Sequence, residues 1–268
     1  MPGSDERKIA RAVASDADAI VADLEDAVSP NQKHSARETL RRVYAATSDR
    51  LARFVRVNGA GTPHFEGDVA LLSELRLDGV VLPKATPEGV AALEVAELPI
   101  LAIIETAAGV RCAYEIASRP SVFALLLGAV DLGTELGLEA RADGLEINYV
   151  RSKLVIDSAA AGIRGPFDGV HVEIRDDDGL AGQAELARSL GLRGKACIHP
   201  AQVPVVNRVF APRPAELGWA RRIIEAAEVG AQDGRGAVEL EGVLVDAPVV
   251  ARARRIIAEN EGANGRDV

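Results

Sequence analysis

Seven short aliphatic runs punctuate the first two hundred residues, at 19–24, 53–57, 79–83, 100–104, 123–127, 169–173 and 196–199. Around and between them lie stretches with apolar residues at helical spacing, at 5–15, 32–46, 65–75, 87–96, 107–117, 144–161, 179–190 and 202–209. Strands that alternate with helices predict βαβ units and a parallel sheet. The runs are aliphatic on successive positions, as expected of strands covered on both faces. The pattern predicts an α/β fold, specifically a TIM-type (β/α)8 barrel, whose chemistry sits at the C-terminal ends of the strands. Seven strands fall one short of that closure. A helix pattern begins directly after Met1, Pro2 and Gly3, so the first strand is expected ahead of residue 1, as if the start were assigned at an internal methionine; Met1 is the only methionine in the chain.

After residue 211 the repeat stops. A helix is predicted over 212–229 with Leu217, Ala220, Ile224 and Ala227 on one stripe, then a Gly-containing turn, a short apolar run over 238–240 and a last helix over 249–258. The chain is expected to divide into a barrel core, 1–211, and a C-terminal helical appendage, 212–268.

Composition sharpens this picture. At 268 residues and 48% apolar the chain can bury a sizeable core, and with only 3% aromatic residues that core must be built from Ala, Val, Leu and Ile. A net charge of -9 argues against a nucleic-acid partner, which rewards clustered Lys and Arg. No apolar stretch approaches the length that spans a bilayer, and no basic-then-apolar leader opens the chain, so no membrane partner is expected. Cys112 and Cys197 stand alone, without metal-ligand spacing, and read as small hydrophobes in a reducing compartment. A cytoplasmic protein is expected.

Polar residues collect at the C-terminal ends of the predicted strands: Asp23, Glu25 and Asp26 after the first, Arg56 and Asn58 after the second, Lys84 after the third, then Glu105, Asp131 and His199. Glu105 and Asp131 each close an aliphatic run and read as a buried carboxylate pair. A hard cation such as Mg²⁺ is held by one or two carboxylates plus substrate oxygens and water. The competing reading makes them helix N-terminal caps. No His or Cys accompanies them at ligand spacing, which disfavours Zn²⁺. Arg56 alternates with Val55 and Val57; its planar fork suits a substrate carboxylate, and equally a salt bridge to Asp23 or Glu25. Glu25 and Asp26 are candidates to orient bound water or Arg56. Arg56, Lys84 and Glu105 are the candidate substrate contacts. His199 reads as a rim histidine bonded to backbone. Together these residues point to a metal-dependent enzyme acting on a small keto acid.

The segments PGSDERK (2–8), DADAIVADLEDAV (16–28), QKHSAR (32–37), RVN (56–58), LPKA (82–85), IETAAGV (104–110), GAVDL (128–132), KACIHPAQV (195–203), WARRII (219–224) and VDAPVV (245–250) run in order through the chain. With them the sequence resembles the citrate lyase beta-subunit-like CoA thioester lyases of the HpcH/HpaI aldolase superfamily, from residue 2 to residue 258. The resemblance implies a barrel assembled as a trimer or hexamer, with Mg²⁺ as cofactor and a CoA thioester and a small keto acid as partners. It implies Glu105 and Asp131 as metal ligands and Arg56 as the grip on the keto acid carboxylate. Asp246 matches an aspartate that relatives bring into a neighbouring subunit's site as acid or base; on its own it also reads as an N-cap of the last helix.

Two departures accompany the resemblance. The family's first strand, with an arginine near the CoA end, is absent, and Val130 stands where many relatives carry Glu. Two other functions remain open at this stage: a CoA-independent metal-dependent pyruvate or oxaloacetate aldolase, and a non-catalytic ligand-binding oligomeric subunit.

Overall fold

Five of the predicted strands form, each within a residue or so of its expected bounds: β1 (Ala19–Asp23), β2 (Ala52–Arg56), β3 (Gly79–Leu82), β4 (Ile100–Ile104) and β5 (Val122–Leu127). They pair in parallel in sequence order. This is a computed structural model; it describes residues 1–46, 51–141, 143–232 and 234–264. The chain forms two units, Met1–Phe210 and Ala211–Val268.

The sheet buries both faces, which explains the unbroken aliphatic runs. Side chains alternate across a strand. One set, including Val55, Val80, Leu82, Ile100, Ala102 and Ile104, joins the large core beneath the helices. The other set, Phe54, Val81, Leu101, Ile103 and Ala124, forms a smaller cluster on the opposite face. Continuing the alternation places Glu105 on the face of Leu101 and Ile103, Arg56 on the face of Phe54, and Asp23 on the face of Val21. The alternation that fills this smaller cluster therefore aims three charged residues, at the ends of β1, β2 and β4, to one side of the sheet.

Helices follow the strands: α1 (Glu6–Val13), α2 (Lys33–Ala46), α3 (Phe65–Leu72), α4 (Pro87–Leu93), α5 (Ala107–Arg111), α6 (Ala113–Ala117), α7 (Ala129–Leu136), α8 (Asn148–Ala161), α9 (Asp177–Leu190) and α10 (Val203–Phe210). Asp5, Thr86, Thr106 and Asp176 cap α1, α4, α5 and α9 with side-chain oxygens on the first free N–H groups. The single helix expected over 107–117 is broken at Cys112 into α5 and α6.

Two predicted strands are corrected. The runs 169–173 and 196–199 form no strand; the ladder passes instead through single bridges, Leu126 to Phe167 and Asp168 to Lys195. At Gly169 the backbone crosses close over the Leu127 carbonyl, where an added Cβ would lie at 2.8 Å. Beyond it, Asp176 turns the chain into α9 by capping Gly179 N–H at 3.0 Å. In the second run, Gln202 Oε1 takes the N–H groups of Ile198 and His199 at 2.9 and 3.3 Å. Local side-chain bonds of this kind compete with a ladder. The bridges are anchored by buried charge: Arg151 Nε and Lys195 Nζ both donate to Asp168, at 2.9 and 2.6 Å. The sheet of described strands is open, and Pro2 bridges Asp23 at its other edge.

The second unit packs α11 (Pro214–Gln232) against α12 (Ala247–Asn264) across a hairpin, β6 (Val238–Leu240) and β7 (Val243–Val245). Ala220, Ile223, Val245 and Ala253 form its core, and Arg252 lies over the Trp219 ring at 5.1 Å. The short apolar run at 238–240 forms β6, which pairs antiparallel with β7. Among the described residues no helix is long and apolar enough to cross a membrane.

Candidate active site

β1 and β2 end in register, so Asp23 stands opposite Arg56. The Arg56 fork closes on it: Nε donates to Asp23 Oδ1 at 2.7 Å and Nη2 to Oδ2 at 2.6 Å. The same carboxylate accepts the backbone N–H groups of Glu25 (2.8 Å) and Ala27 (3.0 Å). Asp23 is 4% exposed. Burial pushes its pKa up, but Arg56 and the two N–H groups outweigh that and hold it below the usual carboxylate range. The salt-bridge reading of Arg56 is therefore realised in the structure. Two of its five N–H donors are committed to Asp23, and Nη1 faces Glu25 Oε2 at 3.2 Å.

Glu25 is buried. Its Oε1 accepts a hydrogen bond from Lys84 Nζ at 2.6 Å, while among the described residues Oε2 has no aligned hydrogen bond. Burial raises its pKa against the pull of Lys84 and Arg56. Asp26 next to it is exposed, 3.9 Å from Lys84 Nζ. Lys84 sits just past β3 with φ of 46°, a left-handed conformation that disfavours a side chain by roughly 1–2 kcal/mol. That turn aims its own N–H at Glu105 Oε1, 2.7 Å away. Burial lowers the Lys84 pKa, but the bond and charge of Glu25, with Asp26 and Glu105 behind it, leave it raised. A Schiff-base role needs a depressed amine pKa, so the structure argues for Lys84 as a fixed cation.

Glu105 follows β4 and is 3% exposed. β4 and β5 run in register to Ile104 and Leu127, which sets Glu105 beside Gly128. An added Cβ on Gly128 would meet Glu105 Cβ at 2.3 Å and Glu105 Oε2 at 2.7 Å. Only a bare Cα leaves room for this carboxylate. Three residues on, Asp131 lies in the first turn of α7 and faces Glu105. Burial, above all, pushes the Glu105 pKa up to about 7; the Lys84 N–H opposes this, and the Asp131 carboxyl and the Glu25 charge add to it.

The two acids predicted as a pair are thus brought together, with one correction: Glu105 is buried, but Asp131 is exposed and begins a helix rather than ending a strand. Two facing carboxylates, one of them resisting ionisation, form an arrangement that a divalent cation relieves. Among the described residues no group of three or more His, Cys, Asp or Glu is placed to hold a metal. A pair without further protein ligands fits Mg²⁺, which completes its shell with water and substrate oxygens, and does not fit Zn²⁺.

Sequence reasoning passed over the scaffold behind these groups. Lys33 Nζ is buried and donates to Leu24 O (2.6 Å), Glu25 O (2.7 Å) and Asn58 Oδ1 (2.7 Å). Asn58 in turn donates to Leu24 O at 2.9 Å and Asp68 Oδ2 at 2.5 Å, and Arg37 holds Asp68 Oδ1 at 2.7 Å. This network fixes the turn that carries Glu25. Asn58 was legible as a polar residue closing the aliphatic run of β2, but Lys33 and Arg37 lie in a helix rich in polar residues, where nothing singles them out. Lys33→Met is expected to lower stability by roughly 1–3 kcal/mol, because Asn58 Oδ1 loses its donor, while the Leu24 and Glu25 carbonyls each lose one of two and keep Asn58 and the Val28 N–H; thermal melting against the unaltered chain checks it. The helix α7 was also missed, although Asp131 in its first turn and Gly137 at its end (φ 64°) are start and stop signals.

Asp246 belongs to the second unit. Its Oδ1 accepts Val249 N–H at 3.3 Å, the N-cap of α12 that the sequence suggests, and the residue lines a cavity of about 220 Å³ with Arg235 and Arg254. His199 Nδ1 accepts Ala201 N–H at 3.1 Å, a backbone role.

Residues 1–200 match the family model described as HpcH/HpaI aldolase/citrate lyase. The chain is similar to a protein named (3S)-malyl-CoA thioesterase from Cereibacter sphaeroides, 38% identical over 267 residues that cover 97% of this chain and 93% of the relative. It is also similar to a citrate lyase subunit beta-like protein from Deinococcus radiodurans, 39% identical over 270 residues, 96% of this chain and 94% of that one. Among solved structures, CitE from Mycobacterium tuberculosis in complex with magnesium, acetoacetate and coenzyme A superposes with a TM-score of 0.84 at 35% identity, covering 97% of this chain and 96% of the other.

Proposed function

The chain belongs to the HpcH/HpaI aldolase/citrate lyase family, and from that premise we propose that it is a Mg²⁺-dependent carbon–carbon lyase. Its substrate class is a 3-hydroxyacyl-CoA thioester such as citryl-, malyl- or citramalyl-CoA, cleaved to acetyl-CoA and a keto acid or formed from them. The observation that carries this reading is the facing pair Glu105 and Asp131, on the rim that also holds Arg56, Glu25 and Lys84. The magnesium, acetoacetate and coenzyme A bound by the M. tuberculosis relative support the choice of ligands. We take the open sheet as part of a (β/α)8 barrel, its ladder continued through Phe167, Asp168 and Lys195 on one side and Pro2 on the other, with residues 212–268 as its appendage. The working form is a cytoplasmic trimer or hexamer.

Glu105 and Asp131 hold the Mg²⁺ in this reading. Mg²⁺ bound there supplies Lewis acidity to the hydroxyl and carboxylate oxygens of the substrate. Arg56, braced by Asp23, turns its remaining N–H groups to the substrate carboxylate and fixes its orientation. Glu25 keeps the Lys84 and Arg56 cations aimed at the rim, and Asp26 adds negative charge beside them. Lys84 presents its protonated amine to the anionic substrate. Asp246, from a second copy of the chain, removes the hydroxyl proton. The bond between the hydroxyl carbon and the acyl α-carbon then breaks. Its electrons pass into the thioester as an enolate, which takes up a proton to become acetyl-CoA, while the hydroxyl carbon becomes the keto carbonyl.

A second reading is hydrolysis, favoured by the thioesterase name of the C. sphaeroides relative. Incubation of the protein and Mg²⁺ with each of the three thioesters separates the readings by product. Acetyl-CoA with oxaloacetate, glyoxylate or pyruvate is the expected outcome. Free CoA with the intact hydroxy acid marks a thioesterase, keto acid turnover without CoA marks a CoA-independent aldolase, and ligand binding without turnover marks a non-catalytic subunit. In the same assay Asp246→Ala should lower kcat by about 100-fold and leave Mg²⁺ affinity unchanged.

A further inference from the structure

α7 carries a second acid one turn after Asp131. Residues four apart stack on one helix face, and this one reaches the start of the neighbouring helix: Glu135 Oε2 accepts Ala107 N–H at 3.0 Å. Ala107 is the first residue of α5 and stands two residues after Glu105. Thr106 Oγ1 satisfies the Gly109 N–H at 3.0 Å. The Ala107 N–H is another of the donors that a helix start leaves unsatisfied, and a carboxylate suits that place. One turn of α7 therefore presents Asp131, and the next grips the backbone of the segment that presents Glu105. At the opposite end, Gly128 N–H donates to Ile104 O at 3.0 Å. The two segments, 104–107 and 128–135, are bridged at both ends with the facing acids between the bridges.

We propose that Glu135 is a positioning residue: its hydrogen bond to the Ala107 backbone holds Asp131 against Glu105 and so sets the affinity for Mg²⁺. The inference rests on the reading of that pair as the Mg²⁺ site. Glu135 acts through the backbone bond, which a side-chain amide oxygen also accepts.

The test is Mg²⁺ titration calorimetry on the full chain and on Glu135→Ala, Glu135→Gln, Ala107→Pro and the double variant Glu135→Ala with Ala107→Pro. Proline suits the first position of a helix, and Thr106 is already extended (φ -132°, ψ 153°), as a residue before proline must be. Ala107→Pro thus deletes the donor with the helix kept. Glu135→Ala and Ala107→Pro are each expected to weaken Mg²⁺ binding about tenfold, and the double variant no further, since both remove one bond. Glu135→Gln keeps the acceptor oxygen and should stay within about twofold of the unaltered chain. In turnover, the Ala and Pro variants should raise the Mg²⁺ concentration for half-maximal rate and leave kcat at saturating Mg²⁺ unchanged.

Wild-type affinity in Ala107→Pro, additive losses in the double variant, or a Gln variant as weak as Ala would each overturn the inference while the site reading stands. Absence of Mg²⁺ binding by the unaltered chain would overturn the site reading and this inference with it. Should Glu135→Ala fold poorly, Ala107→Pro and Glu135→Gln decide the matter alone.

Discussion

Mg²⁺ binding and turnover are both expected to vanish in Glu105→Gln and in Asp131→Asn, with the fold retained. Each amide is nearly isosteric with its acid, and the amide of Glu105→Gln would still offer an oxygen to the Lys84 N–H that Glu105 accepts at 2.7 Å. What disappears is charge, and a hard cation is held chiefly by charge and oxygen donors. Stability should move the opposite way. Burial and then the neighbouring acids raise the Glu105 pKa to about 7, so between the ordinary glutamate pKa and 7 the folded state binds more protons than the unfolded one. Wild-type stability without metal therefore falls as pH rises through that window. Glu105→Gln is expected to melt above wild type at pH 8 without Mg²⁺ and to come level with it only below the ordinary glutamate pKa, at about pH 4. A Gln variant that melts well below wild type at pH 8 would mean that Glu105 is a structural anchor instead.

The second large effect is expected from a residue with no functional group. Gly128→Ala places a Cβ 2.3 Å from Glu105 Cβ and 3.0 Å from Ile103 Cγ2. Glu105 Cβ is one bond from the backbone of the chain leaving β4, so no rotamer relieves the clash and the strand itself must shift. Overpacking of this kind destabilises by about 1–3 kcal/mol. The greater loss is in the site, because displacement of a ligand's support weakens metal binding by about 10–100-fold. Gly133→Ala on α7 is the control: among the described residues its Cβ meets nothing within 4 Å, and replacing a mid-helix glycine adds up to about 1 kcal/mol of stability. Mg²⁺ titration and melting of the two variants side by side check the contrast. Equal Mg²⁺ affinities would mean that the Glu105 carboxylate has room to move.

These two variants also mark what was legible in the sequence. Glu105 could be found because it is a charge at the end of an aliphatic run, and the run is visible because both sheet faces are buried. Gly128 could not, because its role is the absence of a side chain at a contact created by the pairing of β4 with β5. Arg56 was legible as a rim cation, but its commitment to Asp23 depends on the register of β1 with β2. Lys33, Asn58 and Asp68 form one network from three segments, and only the fold brings them together. The runs at 169–173 and 196–199 look like strands by composition. They fail as strands because Gly169 leaves the ladder at a close crossing, and Gln202 offers local hydrogen bonds that compete with pairing. The short α7 was hidden by the apolar residues at its start, which extend the pattern of β5.

Titration of the unaltered chain with Mg²⁺ in the presence of pyruvate, followed by calorimetry in buffers of different ionisation heat, tests the shared ion most directly. The expected result is a single Mg²⁺ per chain, displacing about one proton near pH 6 and almost none above pH 8 as Glu105 ionises through its pKa of about 7, and no binding heat in Asp131→Asn. Mg²⁺ uptake that releases no proton at pH 6, or that persists at wild-type affinity in Asp131→Asn, would place the ion elsewhere and contradict the account.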